Sequence, residues 1–500
     1  MKINYRRPEP EGVKNLLFLM VLIILFIPGI QGRLNLVGEP ALDGAFTKSE
    51  KPTFRDFTIE RWANGTFQED YNQRLEQNIG FRNFFIRIQN QISYSLYGKA
   101  NAEGVVVGKG DMLFEEDYIR EYLGMYYVGD TVWEKKAAKL KAVQDTLARL
   151  NKKLLVVFEP DKASLYPELI PAEYANIPKK LSNFVKFKSE LQASGVNILD
   201  LNQYFKTLKG KTEYPLFGQC GTHWSYYGAT LAADTTLKYL EKWMGKDLPD
   251  MHVKENRIYS VPRHPDYDIG LAMNLLFMIP HPKTADPILK FDHSGNKSKP
   301  GVLVVGDSFF FNWLNNRIPE NTFNDCEFWY YNKKIVRSDG VPAGTASDRN
   351  LYEEIMKRDL IMIMITGRFM HAFAWNFDEQ MYNLFYPGHS DNPIEKFSNE
   401  LRIYGEEFRR MYDESVARNI SLPDRIKQEA DFLFYEDLKK NPDKYPTKEN
   451  IILSFELAIK GSPDWFEEVK KKAKANNISV DEQVHRDAEW LYENKYGKKK

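Results

Sequence analysis

The chain has 500 residues, 43% hydrophobic and 14% aromatic, enough to bury large cores over two or three domains. Its charge balances, 69 Lys and Arg against 69 Asp and Glu, which excludes a global electrostatic pull on nucleic acid, and no RNA- or DNA-reading motif appears. The two cysteines, Cys220 and Cys326, are too few and too far apart for a zinc knuckle or a disulfide framework.

Lys2, Arg6, Arg7 and Lys14 precede an unbroken apolar run, Leu16–Ile27, which continues as Pro28-Gly29-Ile30. The run is shorter than the ~20 residues of a typical span, but with its flanks it suits a signal peptide or a short signal anchor. No clean small-x-small cleavage site follows. The preferred reading is an uncleaved single-pass anchor, basic end in the cytoplasm (residues 1–33) and the body on the periplasmic or extracellular face. The alternative is secretion after cleavage. An exported body would allow a Cys220–Cys326 disulfide, with free thiols equally compatible.

Residues 34–66 are rich in Gly, Pro and charge and read as a tether. Phe67–Leu96 carries apolar residues near helical spacing, broken at Gly80, so 34–100 forms a tether with lead helices. Gly104–Gly108 reads as a strand. Thr131–Asn151 is a strong amphipathic helix, with Thr131 and Glu134 suited to a capping box. Leu154–Phe158 is a buried strand, Leu181–Ala193 a helix ended by Gly195, and Val196–Leu201 a strand. Ser225–Met244 is a helix, Val302–Val305 a strand, Phe309–Asn315 a helix start, Glu327–Tyr331 a strand and Leu360–Ile365 a fully apolar strand. This alternation implies an α/β domain over 101–388 with a mostly parallel sheet. Residues 389–500 are charged and helical in pattern, an appendage with starts at Ser462-Pro463 and at Ser479 with Glu482.

In parallel sheets ligands sit beyond the carboxyl ends of the strands. Ser308 and the Thr366-Gly367-Arg368 segment both fall at such ends. Two segments carry chemistry. Gly306-Asp307-Ser308 follows directly on an apolar strand, and Gly221-Thr222-His223-Trp224 opens a helix upstream. A serine is a weak nucleophile unless a nearby histidine takes its proton as it attacks a carbonyl. Gly306 lets the strand pass tightly into the turn, and the backbone N–H of Ser308 points to an oxyanion role. The plain alternatives are a serine capping a helix and a packed histidine. Arg368 and Lys162, both at strand ends, are candidates to bind substrate oxygens, against salt bridging or structural pairing. Trp224 is a candidate to stack on a sugar, against core packing. The eight histidines form no His-x-x-x-His cluster and no phosphate-cradling Gly-rich loop follows a first strand, so neither a metal nor a nucleotide cofactor is expected.

The chain resembles the alginate O-acetyltransferase (AlgJ/AlgX-like) branch of the SGNH hydrolase superfamily. The matching segments are Gly80-Phe81-Arg82, Gly108-Lys109-Gly110 with Leu113-Phe114, Pro160-Asp161-Lys162 with Tyr166-Pro167 and Pro171, Gly221 to Ser225 with Gly228-Ala229, Asp266-Tyr267-Asp268, and Val304 to Ser308, in that order. The resemblance implies a flavodoxin-like three-layer α/β core, an exported or tethered location, and acetyl transfer to a polysaccharide hydroxyl. It also implies work beside a multi-spanning membrane O-acyltransferase, with Ser308 and His223 as the catalytic pair. The branch carries an aspartate two residues before its histidine, and this chain has Gly221 there. Three explanations follow: an acid or carbonyl from elsewhere (Asp200 and Glu213 are the nearest upstream acids), a Ser-His dyad, or a retired site with a binding role. A carbohydrate acetyl esterase and a non-catalytic subunit of an exopolysaccharide-modifying complex are the competing functions.

Overall fold

The computed structural model describes residues 10–44, 57–388 and 393–496; Lys2, Arg6, Arg7 and the middle of the tether lie outside them. Helix α1 (Pro10–Leu34) is long and apolar enough to cross a membrane, with mean hydropathy 2.4 over its most apolar stretch of 18 residues, none of which is buried. It runs on through Pro28, so the helix is longer than the uninterrupted apolar run. Three lead helices follow: α2 (Ile59–Ala63), α3 (Thr66–Asn78) and α4 (Arg82–Tyr97). The helical pattern around Gly80 is thus realised as two helices.

A small hairpin, β1 (Val105–Val107) with β2 (Leu113–Glu115), leads into α5 (Glu116–Tyr122) and α6 (Asp130–Arg149). The Thr131–Glu134 box is not formed, because α6 begins one residue earlier and Gly129 takes the cap position without a side-chain bond. The remaining strands are β3 (Lys153–Phe158), β4 (Ile198–Asp200), β5 (Asp250–Tyr259), β6 (Thr284–Asp292), β7 (Gly301–Gly306), β8 (Asn324–Tyr330), β9 (Lys334–Arg337), β10 (Pro342–Thr345) and β11 (Leu360–Ile365).

The central sheet has seven strands in the order β10-β9-β8-β7-β11-β3-β4. It is mixed, which corrects the expectation of a mostly parallel sheet. The stretch β8-β7-β11-β3-β4 is parallel, while β9 folds back antiparallel to β8 after the tight turn at Tyr331–Lys333 and β10 in turn lies antiparallel to β9. A turn that short permits only antiparallel return. A separate antiparallel pair, β5-β6, stands apart from this sheet.

Period-two alternation sorts the central strands onto two cores, giving the three-layer arrangement. Leu154, Val156, Ile361, Ile363, Leu303 and Val305 face one layer with α6 and the helix Asn183–Ser194. Leu155, Val157, Met362, Met364, Val302 and Val304 face the other with the helix Tyr226–Met244. The C-terminal region is helical as expected, but its first part is no detached appendage. Leu401, Phe408, Met411 and Ile426 belong to the first of these cores, whereas Ile452, Ile459, Val469 and Val484 form a small core of their own.

Candidate functional site

Two connections position the site. From β3 the chain steps outward to β4, and from β7 outward to β8, so the direction of travel reverses on either side of β11. The carboxyl ends of β7 and β11 therefore border the natural crevice of the sheet. Asp307 fixes the turn after β7: its carboxylate accepts from the Phe309 N–H at 3.0 Å and from the Thr366 N–H and hydroxyl at 3.0 and 2.7 Å. That ties the ends of β7 and β11 and aims Ser308 outward.

The His223 segment is bound to the same turn. Trp224 Nε1 donates to the Phe309 carbonyl at 3.1 Å, and Asn312 Nδ2 donates to the Trp224 carbonyl at 2.9 Å. The Phe309 ring lies 5.0 Å from the imidazole. The result brings Ser308 Oγ to 2.7 Å from His223 Nε2. Ser225, not His223, caps the helix that follows.

The acid comes from a place that sequence spacing did not reveal. Asp268, the first residue of the short helix Asp268–Ala272, puts Oδ2 2.7 Å from His223 Nδ1. Asp200 and Glu213 are not involved; Asp200 caps the helix Leu201–Leu208 and pairs with Lys188. The other Asp268 oxygen accepts from the Thr222 and Ile269 N–H groups, both at 2.8 Å, and the Gly270 N–H reaches the Cys220 carbonyl at 2.9 Å. Burial would raise the Asp268 carboxyl, but the His223 contact and the two backbone donors outweigh it and hold it below its usual range. A carboxylate can only accept, so it sets the proton on Nδ1 and leaves Nε2 to accept from Ser308.

Gly221 explains why no acid sits two residues before the histidine. A Cβ there would lie 2.5 Å from the Pro265 carbonyl oxygen and 2.9 Å from the Asp266 carbonyl. Backbone cannot give way as a flexible side chain would. Gly221→Asp is therefore expected to destabilise the fold by roughly 1–3 kcal/mol, read as a lower thermal midpoint, and to leave an Asp268→Asn enzyme unrescued.

Asp266 packs behind this loop. Burial pushes its carboxyl up to about 7, against hydrogen bonds from Thr284 and the Tyr226 N–H. A folded value above the ordinary 3.8 means the folded state holds the proton more tightly. Its stability is complete below that ordinary value and lost as pH rises through about 7. Thermal melts across this window should show the wild type losing midpoint relative to Asp266→Asn.

The other candidates divide. Lys162 is 1% exposed, and its ammonium donates to the carbonyls of Leu113, Gln219 and Gly221 at 2.7 to 2.8 Å. It braces the histidine loop, its ammonium spent on backbone carbonyls. Trp224 is fully buried and stacks on Trp313, which corrects the sugar-stacking reading. Gly306 is buried in the ladder between Met364 and Tyr330, so it shapes the turn and offers nothing to a ligand. Arg368 ion-pairs with Glu115, whose same oxygen takes the Thr222 hydroxyl. Arg368, Glu115, Asp117 and Arg409 line a cavity of about 280 Å³ beside the histidine loop, Arg409 coming from the C-terminal helix Gly405–Arg418. Glu115 carried no sequence signal. Cys220 and Cys326 are both free thiols: Cys220 packs with Tyr267 and Ile269, Cys326 lies on β8 in a different core, and no disulfide joins them.

A family model described as the SGNH hydrolase-like domain of the acetyltransferase AlgX matches residues 105–287. Over residues 105–287 the chain is thus similar to the AlgJ/AlgX-like SGNH family. The matched span contains His223 and Asp268 and ends before Ser308. The "Probable alginate O-acetylase AlgJ" of Azotobacter vinelandii is 25% identical over 179 residues, 35% of this chain and 44% of the relative. Its counterpart in Pseudomonas aeruginosa is 27% identical over 172 residues, 34% of this chain and 41% of the relative. The chain thus spans less than half the length of these relatives. Among solved structures, the O-acetyltransferase domain of Pseudomonas putida AlgJ aligns at 15% identity and a TM-score of 0.37, over 56% of this chain and 99% of that domain.

Proposed function

We propose that the protein is a membrane-anchored, extracytoplasmic O-acetyltransferase that acts on polysaccharide hydroxyls through Ser308, His223 and Asp268. The observation that carries this reading is the unbroken contact line from Asp268 through His223 to Ser308, at 2.7 Å on each side of the imidazole. The relatives named as alginate O-acetylases support the acyl group and the acceptor class.

In this reading Ser308 Oγ attacks the acetyl carbonyl while Nε2 takes its proton. Asp268 stabilises the imidazolium that forms. Among the described residues the Ser308 backbone N–H meets no acceptor, which leaves it for the developing oxyanion. The tetrahedral intermediate expels the donor's leaving group, which takes the proton from Nε2, and Ser308 carries the acetyl ester. A sugar hydroxyl then attacks, His223 removes its proton, and Ser308 recovers it as the acetylated sugar leaves. Water in place of the sugar would make the same site an esterase.

The corresponding division is 1–33 as cytoplasmic end and anchor, 34–100 as tether and lead helices, 101–388 as the catalytic unit and 389–500 as the helical region. A multi-spanning O-acyltransferase is the partner that would deliver acyl groups from the membrane side. The test uses the full chain in detergent with an aryl acetate and alginate oligosaccharides. Acetylated oligosaccharide is the expected product. Acetate release alone, unaffected by acceptor, would replace transferase with esterase, and no turnover above Ser308→Ala would leave only a binding role.

A further inference from the structure

Helix α4 is held to the protein through few apolar contacts. Tyr94 packs against the cluster of Leu113, Cys220 and Tyr267, and beside it Asn90 Nδ2 donates to the carbonyls of Met273 and Asn274 at 2.9 and 3.4 Å, and Gln91 Oε1 accepts from the Phe277 N–H at 3.1 Å. At its start the Glu39 carboxylate accepts from the N–H groups of Phe81, Asn83 and Phe84. None of its residues is buried. Phe84, Ile88, Ile92, Phe85 and Leu96 fall within an arc of roughly 120° at helical spacing. Four of these, Phe84, Phe85, Ile92 and Leu96, are between 47% and 71% exposed. Phe277 and Met278, on the loop that Gln91 holds, extend the apolar face at 72% and 50% exposed.

A soluble surface helix ordinarily turns its apolar stripe to the core. Here most of that stripe stays exposed, only Ile88 being half-buried, and its location says what covers it. The turn before α4 is pressed on the end of α1: the Gly80 N–H donates to the Pro28 carbonyl at 3.0 Å. A Cβ on Gly32 would come within 2.4 Å of the Asn78 carbonyl oxygen, and one on Gly80 within 2.4 Å of Gln31 Cβ. Pro28 directly follows the apolar run Leu16–Ile27, so this crossing marks where α1 leaves hydrocarbon.

We infer that the outward face of α4, with Phe277 and Met278, lies in the interfacial layer of the lipid bilayer at the exit of α1, holding the Ser308 site against the membrane. A single convex helix face continuous with a spanning segment fits a lipid surface, with side chains reaching a few ångströms below the headgroups. The inference rests on the anchor reading of α1.

The test places a nitroxide at Phe85→Cys or Leu96→Cys in the full chain, reconstituted in vesicles of phosphatidylethanolamine and phosphatidylglycerol. Leu22→Cys probes the anchor and Lys471→Cys the aqueous end, and the unsubstituted protein reports background from buried Cys220 and Cys326. Expected is a several-fold higher ratio of oxygen to nickel-chelate relaxation at 85 and 96 than at 471. A ratio at 85 and 96 equal to that at 471, with 22 still rich in oxygen, would overturn the lipid contact and leave the face for a protein partner. A ratio at 22 equal to that at 471 would overturn the anchor and this inference together.

Discussion

Asp268→Asn should lower turnover of an aryl acetate by about 10⁴ while leaving the fold intact. The amide keeps the shape of the carboxylate, and its oxygen can still accept from the Thr222 and Ile269 N–H groups. What changes is the group facing Nδ1. An amide NH₂ donates, so it forces the proton onto Nε2, the nitrogen that must take the Ser308 proton. The readout is kcat/KM with an aryl acetate beside a thermal melt. A loss under tenfold in a normally folded variant would mean that His223 works without Asp268. The Asp268 carboxylate is held below its ordinary range in the folded protein. Its stabilising contribution is present above the ordinary 3.8 and fades only as pH falls through the lower folded value.

Ser308→Ala and His223→Ala should each reduce turnover on the order of 10⁶-fold, and the double variant should be no worse than either alone. The two groups serve one proton transfer, so losing either removes the whole step. The residual rate is that of the oxyanion donor and binding. Independent, multiplying losses would show that they act separately, and a Ser308→Ala transferase rate within about tenfold of wild type would point to direct attack by the sugar hydroxyl without an acyl-enzyme.

How much of this was readable depends on how local each signal was. The apolar runs at β3, β7 and β11 identify buried strands by themselves, and their carboxyl ends locate Ser308 and the Thr366 segment. His223 was readable from its motif. Asp268 was not: it meets His223 from 45 residues downstream, through packing that no periodicity encodes. Gly221 consequently looked like a loss, when it is the close backbone contact that the Asp266–Asp268 segment needs. The β5-β6 pair was missed for a physical reason, since β5 is exposed along almost its whole length and shows no alternation. Lys162 and Trp224 looked available because strand ends and helix starts often are. Their roles as a three-carbonyl brace and a stacked core ring depend on neighbours distant in sequence.

The grip of Asn90 on Met273 and Asn274 bears on where the working unit begins. Those carbonyls immediately follow the short helix that starts at Asp268, so α4 buttresses the segment bearing the acid. The stretch that family likeness picks out, 105–287, excludes this buttress at one end and Ser308 at the other. Anyone expressing that stretch alone would obtain a histidine and an aspartate with neither the serine nor the strut that keeps them aligned. A minimal version must reach back through Arg82, where the strut starts, and forward past β11, where Thr366 clasps Asp307.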